Sequence, residues 1–269
     1  MKALIKPLLG KCGIVAGRAS RQELVPLGNP RFQKSIRHLH ALTREFLLPS
    51  LPELTEARLD NLSNLAGLPF PQAFYLMDHL NRCLSLPGDI CELGVAQGCT
   101  SRLIAREILP TDKNLWLFDS FQGLPAPTEE DKLIHDIHGL GDIRNYQGNM
   151  NCRRDWVEAK LAAIPFPGAR TRVIEGFFDD TTPATKTLPG QVCFAFVDFD
   201  FYKPIKDALE WLETCLVDGG VVIVHDYGFF SSGAQTAVDE FVASRKEKFS
   251  ISFPHSIAQG MAILQRKSR

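Results

Sequence analysis

The sequence carries no excess of charge of either sign: 30 Lys and Arg stand against 31 Asp and Glu, for a net charge of −1. That balance excludes a chain that is basic throughout and wraps nucleic acid. No CxxC pair occurs among the seven cysteines, whose number is odd, so neither a disulfide framework nor a cysteine zinc site fits. Cys91 and Cys193 lie in apolar runs and read as buried thiols of a reducing compartment. No apolar run approaches the length of a membrane span. Lys6 and Pro7 interrupt the short apolar stretch at the start, which makes a poor signal peptide. Repeats and low-complexity tracts are also missing. The expectation from these absences is a soluble, cytoplasmic protein.

What is present is a chain of 269 residues, 45% hydrophobic and 23% charged, long enough for a large buried core and too apolar for wholesale disorder. The neutral total averages unequal parts. Residues 1–50 hold nine Lys and Arg against two Glu, or +7, and the remainder carries −8. Residues 1 to about 55 mix periodicities among scattered Pro and Gly and read as a basic arm, extended or partly helical. Residues 56–269 read as the main domain. Leu recurs at helical spacing over Leu54–Leu62. Pro71 opens a second helix with Phe74, Met77, Leu80 and Leu84 on one face, stopped by Pro87 and Gly88, so 56–87 is a helical lead-in.

From Asp89 the pattern changes to short apolar runs alternating with helical segments. The spacing predicts strands at Asp89–Val95, Leu115–Asp119, Arg172–Gly176, Val192–Asp198 and Gly219–Asp226, with helices at Ser101–Leu109, Tyr202–Leu216 and Gly233–Arg245. Phe249–Phe253 and Gly260–Gln265 read as a closing hairpin. Near-continuous apolar strands linked by helices imply an α/β fold: a doubly wound, mainly parallel, Rossmann-like sheet with an antiparallel C-terminal hairpin. Residues 122–155 break the pattern with Pro, Gly and acids and read as a polar insertion, either a lid or a merely mobile loop.

The chemistry-bearing residues fall at predicted strand ends. Glu92-Leu-Gly-Val-Ala-Gln-Gly98 closes the first strand with an E-x-G-x-x-x-G spacing. Glycines there let the backbone pass close to a ligand at the carboxyl edge of a parallel sheet. The acid repels a pyrophosphate and suits an ammonium or sulfonium, which favours S-adenosylmethionine over a dinucleotide. Asp119 closes the second strand about 20 residues on, the separation of a ribose-binding acid. Asp198 and Asp200 end the fourth strand, and His225 and Asp226 end the fifth. On one rim, such carboxylates suit a hard cation such as Mg²⁺, and a carboxylate there can take a proton from a hydroxyl.

The series Cys91-Glu-Leu-Gly-Val-Ala-Gln-Gly98, Leu117-Phe-Asp-Ser-Phe-Gln-Gly-Leu-Pro125, Glu175-Gly-Phe-Phe-Asp-Asp-Thr181, Phe196-Val-Asp-Phe-Asp-Phe-Tyr202, Gly219-Gly-Val-Val-Ile-Val-His-Asp-Tyr227 and Ala237-Val-Asp-Glu-Phe241 is similar to the macrocin O-methyltransferase family. The resemblance runs from residue 88 to about 245. It implies a class I methyltransferase fold and methylation of sugar hydroxyls on small natural products. It further implies that Glu92, Gly94 and Gly98 line the methionine end of S-adenosylmethionine, with Thr100 and Ser101 near. Asp119, followed by Ser120, would hold the ribose. Gly176 and Phe177 would border the adenine, with Asp179 or Asp180 on its amino group. Asp198 would be metal ligand and general base, and positions 225 and 226 would complete the metal site.

Position 225 departs from the family's Asp-Asp-Tyr, because it is His. Imidazole matches Mg²⁺ less well than carboxylate. Three readings stand: a different or weaker divalent ion on Asp198, His225 and Asp226; a metal-free site with His225 as base; or a structural His225 bonded to a neighbouring acid. His135 and His138 in the insertion, with Tyr202 and Tyr227 beside the rim, are acceptor candidates. Trp156 and Phe166 read as packing, and Arg170 and Arg172 as a solvated pair. The expectation is O-methylation of a small natural-product or sugar acceptor by a homo-oligomer that binds no nucleic acid. N-methylation of an amine, an NAD-dependent oxidoreductase and a non-catalytic binding module are the alternatives.

Overall fold

A computed structural model describes residues 29–179 and 181–268. Three helices lead in: α1 (Pro30–Phe46), α2 (Glu56–Ser63) and α3 (Phe70–Cys83). The strand and helix alternation follows, with β1 (Asp89–Leu93), α4 (Cys99–Glu107), β2 (Leu115–Asp119), α5 (Arg154–Ala162), β3 (Thr171–Glu175), a single turn α6 (Thr182–Thr185), β4 (Val192–Val197) and α7 (Tyr202–Cys215). The chain closes with β5 (Leu216–His225), α8 (Ser232–Ser244), β6 (Phe249–Ser252) and β7 (Met261–Arg266).

The seven strands form one sheet in the order β3-β2-β1-β4-β5-β7-β6. Neighbours from β3 to β5 pair in parallel, whereas β7 runs antiparallel between β5 and β6. The expected hairpin is thus present, with its second strand inserted against β5. Both faces are covered, which is why the central strands are apolar nearly throughout. Ile90, Phe194, Phe196, Val221 and Ile223 pack on one face against α3 residues such as Phe74 and Met77 and α4 residues such as Leu103 and Ile104. Cys91, Leu93, Ala195, Val222 and Val224 pack on the other face against Ile205 and Leu209 of α7 and Val238 and Phe241 of α8. Side chains alternate along a strand. That period places Glu92 with Ile90 on the α4 face, and His225 with Val221 and Ile223 on the α3 face.

Three sequence readings meet the structure here. Residues 1–28 lie outside the described residues, but the rest of the expected arm joins the domain. In α1, Asn29 caps the helix by accepting from Arg31 N–H at 2.9 Å, and Pro30 sits in its first turn. The helix buries Ile36, His40 and Thr43, and Leu48 and Leu51 follow it into the same core. Each such apolar side chain contributes roughly 1.5–3 kcal/mol on burial, enough to tie this segment to the domain. Two of the three buried α1 positions are polar, so the hydrophobic stripe that announces a helix is diluted. His40 is satisfied by the Pro52 carbonyl at 2.9 Å.

The insertion is folded rather than loose. Leu124 and Asn149 close its neck, with Leu124 N–H donating to the Asn149 carbonyl at 3.0 Å and Gly148 N–H to the Leu124 carbonyl at 2.9 Å. Inside, Tyr146 and Leu124 pack on Phe201 and Phe230 from the main domain. Asp131 pins the segment down: its carboxylate accepts from Thr128 N–H at 2.8 Å, Ser231 Oγ at 2.9 Å and Tyr202 N–H at 2.9 Å at the start of α7. Arg170, expected in solvent, instead donates to the carbonyls of Ile108 and Lys113 and lies over the Phe166 ring. Phe166 is buried as expected, and Trp156 is half-exposed.

Two outcomes are expected. Replacing Asp131 with Ala removes both ties to the main domain, at Tyr202 and Ser231, so limited proteolysis should cut within residues 122–155 at least tenfold faster; an unchanged cleavage rate would show that the insertion is held elsewhere. Gly94 has φ +93°, and a Cβ there would collide with the Asp198 carbonyl of the adjacent strand end. Gly94→Ala should therefore lower unfolding free energy by about 3 kcal/mol or more in a urea titration.

Candidate active site

The site is built on the carboxyl ends of β1, β2, β4 and β5. Four of the five non-glycine residues with left-handed backbone among the described residues stand just past these ends: Ala96, Phe121, Asp200 and Asp226. Backbone held in that region costs of order 1 kcal/mol or more per residue and collects where a fold positions function. The strand ends are therefore a rim of constrained loops.

The β1 loop is braced from two sides. Asp119 Oδ2 accepts from Val95 N–H at 2.8 Å and Ala96 N–H at 3.0 Å, and its Oδ1 accepts from Phe121 N–H at 2.7 Å. The acid expected to hold a ribose thus also shapes the glycine loop. Ser120 turns inward, with Oγ donating to the Gly123 carbonyl at 2.9 Å. On the other side, α5 lies over the loop. Lys160 Nζ donates to the Gln97 carbonyl at 2.7 Å, and Val157 methyls fill the space that a Cβ at Gly98 would take.

Glu92 precedes this loop on β1. It is fully buried, and neither carboxylate oxygen has a hydrogen-bond partner. The Ser101 hydroxyl is near enough to ease the charge, yet it too is unpartnered. Burial, with repulsion from Asp198 and Asp119, lifts the Glu92 carboxyl well above the usual range. A buried acid with no partner is costly in a finished structure. It fits a site that takes a cationic ligand. Thr100 lies at the start of α4 beside it.

Gly176 follows β3 and donates its N–H to the Asp119 carbonyl at 3.0 Å, and Phe177 beside it is half-exposed. Phe177, Gln122, Leu124, Pro125 and Gln147 line a cleft of about 440 Å³ between the neck of the insertion and β3. Asp179 turns back on its own loop to accept from Thr181 and Thr182. Asp180 lies outside the described residues.

The β4 and β5 ends form the second half of the rim. His225 is the hub: Nδ1 stands 2.8 Å from Asp198 Oδ1 and 3.3 Å from Asp226 Oδ1, and Nε2 stands 3.0 Å from Gln72 Oε1. Burial pulls the His225 pKa down, but Asp198 and Asp226 hold it well above the ordinary histidine value. Nδ1 thus faces the two carboxylates and Nε2 faces the Gln72 amide oxygen, and a cation at the rim would take the place of the Nδ1 proton. Asp226 is buried, and the His225 charge holds its pKa down against that burial. Burial and repulsion from Asp226 and Asp198 push Asp200 well above the carboxylate range. Asp198 alone of the three hub residues remains accessible, its side chain 31% exposed.

One ligand atom from each of Asp198, His225 and Asp226 lies within 4.8 Å of the others. Two carboxylates and an imidazole in that spacing fit a single divalent cation, with an N,O,O donor set in place of three oxygens. Gln72 was not a candidate in the sequence. No local signal marks it, because the same helix also carries Asp78, His79, Asn81 and Arg82, and its contact with His225 spans 153 positions.

The acceptor candidates separate. Tyr202 Oη donates to Glu240 at 2.6 Å and Tyr227 Oη to Asp239 at 2.8 Å, so both hydroxyls are spent on α8. His138 stacks on Tyr146 inside the insertion. His135 faces Phe229, ring centres 5.1 Å apart, and Phe229 follows Asp226 on the same turn, donating its N–H to the Asp226 carbonyl at 3.1 Å. The described cysteines are all unpaired, and no described helix is long and apolar enough to cross a membrane.

Comparisons with known proteins bear on the fold and the family. The chain is 28% identical over 217 residues to 8-demethyl-8-(2,3-dimethoxy-alpha-L-rhamnosyl)-tetracenomycin-C 4'-O-methyltransferase of Streptomyces olivaceus, covering 75% of this chain and 79% of that one. It is 26% identical over 193 residues to mycinamicin III 3''-O-methyltransferase of Micromonospora griseorubida, covering 65% and 73%. Among solved structures, the O-methyltransferase NovP superposes with a TM-score of 0.59 at 21% identity over 88% of this chain and 99% of that one. The calicheamicin methyltransferase CalS11 superposes at 0.56 and 19% identity over 93% and 98%. The structural matches establish the class I methyltransferase fold. A family model, macrocin O-methyltransferase (TylF), matches residues 76–254, well over half of the sequence. That match sets the dinucleotide oxidoreductase aside: the chain belongs to the macrocin O-methyltransferase family and is an S-adenosylmethionine-dependent methyltransferase.

Proposed function

We propose that the protein methylates a hydroxyl of a small natural product or of a sugar attached to one, with Asp198 as general base. The observation that carries this reading is the junction of the two half-sites. Gly94 of the donor loop abuts the Asp198 backbone, and Asp198 N–H donates to the Leu93 carbonyl at 2.7 Å. An accessible carboxylate thus stands beside the place where the buried Glu92 awaits a cation. The relatives support the acceptor class, since their names describe O-methylation of a rhamnosyl tetracenomycin and of mycinamicin III. Exposed Phe229, and Phe253 packed on Tyr227 at 5.1 Å between ring centres, add an apolar shelf next to Asp226 for an aglycone.

Methyl transfer from a sulfonium is an in-line displacement: the acceptor oxygen forms a bond to the methyl carbon as the carbon–sulfur bond breaks. The acceptor proton passes to Asp198, and S-adenosylhomocysteine leaves. Glu92 and the braced β1 loop position the donor, which can supply much of the acceleration. His225 orients the Asp198 carboxylate through Nδ1. A divalent metal, when bound, would be held by Asp198, His225 and Asp226 and would lower the pKa of the acceptor hydroxyl.

Two measurements bear on these roles. Asp198→Asn should cut turnover by about 10²–10⁴-fold while S-adenosylhomocysteine affinity changes less than about threefold by calorimetry; undiminished turnover would sink the base assignment. Glu92→Gln should weaken S-adenosylmethionine binding about tenfold or more yet stabilise the ligand-free protein. The sign follows from linkage: the folded carboxyl holds its proton above the unfolded value near 4.3. Its burial therefore destabilises the fold increasingly as pH rises from there, and the penalty is absent at lower pH. The melting advantage of Glu92→Gln should accordingly appear at pH 7 and vanish near pH 3.5.

A further inference from the structure

The nitrogen donor of the rim is oriented by a residue from outside it. Gln72 Nε2 donates to the Gln259 carbonyl at 2.7 Å, which fixes which way the amide faces. Its Oε1 is thereby left 3.0 Å from His225 Nε2. An amide oxygen only accepts, so Nε2 of the ring carries hydrogen and Nδ1 is the nitrogen presented to Asp198 and Asp226. Metal-binding histidines are held in this way, one ring nitrogen donating to an oxygen while the other turns to the ion. Gln72 is buried, as are His225 and Asp226, so the arrangement is built into the core rather than draped on the surface.

We propose that Gln72 and His225 make this rim a mixed nitrogen–oxygen centre that takes a first-row transition dication, such as Mn²⁺, in preference to Mg²⁺. Mg²⁺ is hard, favours oxygen donors and gives up water reluctantly, whereas imidazole suits the transition series. A family position that is ordinarily carboxylate thus becomes the feature that sets ion choice. Gln72 is a positioning residue here: it touches neither donor nor acceptor and acts through His225. The inference rests on reading the rim as the place where the acceptor hydroxyl is activated.

The test is metal binding by the full, chelator-stripped chain without donor or acceptor. Calorimetric titrations with Mg²⁺ and Mn²⁺ give the two affinities. Pulsed electron paramagnetic resonance of the Mn²⁺ form reports whether a nitrogen is directly coordinated. The expected result is Mn²⁺ at least tenfold tighter than Mg²⁺, with an imidazole nitrogen signal. His225→Asp should narrow that ratio at least tenfold and abolish the nitrogen signal. Gln72→Leu should weaken Mn²⁺ about 10–100-fold, and Gln72→Glu, which keeps the acceptor toward Nε2 but loses the donor to the Gln259 carbonyl, should restore only part of that loss. Equal affinities in the unaltered protein, a missing nitrogen signal or no binding of either ion would overturn the inference, and these three outcomes do not depend on any variant folding. Because the readout needs no turnover, a wrong acceptor class leaves it intact, and a metal-free protein that still methylates overturns this inference alone.

Discussion

Strands β1 and β4 lie side by side, and at their carboxyl ends backbone meets backbone with no side chain between them. Gly94 makes this contact possible, and everything functional is arranged around it. To one side run the loop over Glu92 and the bracing carboxylate of Asp119. To the other side stand Asp198 and the β5 hub. A side chain at position 94 would push these halves apart, and the two ends of a methyl transfer must meet within bonding reach. The parallel sheet fixes that meeting point because both strands end at the same level, with Leu93 paired to Val197.

The rim concentrates charge in a way the rest of the domain avoids. Glu92, Asp198, Asp200 and Asp226 crowd one edge, with His225 as the cation among the last three. Two different solutions are in use. At β5 the imidazole compensates its neighbours directly, and its own burial is tolerated because both ring nitrogens have partners. At β1 the Glu92 carboxylate has no hydrogen-bond partner and no cation beside it, and burial raises its pKa instead. The overall charge of −1 conceals this division.

Much of this was legible in the sequence because it rests on local rules. Short apolar runs alternating with helical segments marked the strands, and the acids and glycines at their ends lay where parallel sheets bind ligands. What was illegible depends on distant partners. Asp119 reads as a ribose acid from its spacing, but its bonds to Val95 and Ala96 N–H appear only when β1 and β2 are adjacent. Gln72 reaches His225 because α3 covers the α3-side face of β5, and no periodicity reports that. Helix α1 hides because His40 and Thr43 stand on its buried face, where a pattern search expects apolar residues. Arg170 looked like a surface charge, yet backbone carbonyls at the α4–β2 turn claim its guanidinium.

The neck of the insertion carries a consequence of its own. Leu124 and Asn149 are held together by backbone hydrogen bonds, so the segment between them leaves and re-enters the domain at one point. The entropy of closing such a loop grows only slowly with its length. Its contents can therefore be lengthened, shortened or exchanged while the donor half of the rim keeps its shape. The neck thus uncouples events inside residues 124–149 from the strand ends that brace the glycine loop.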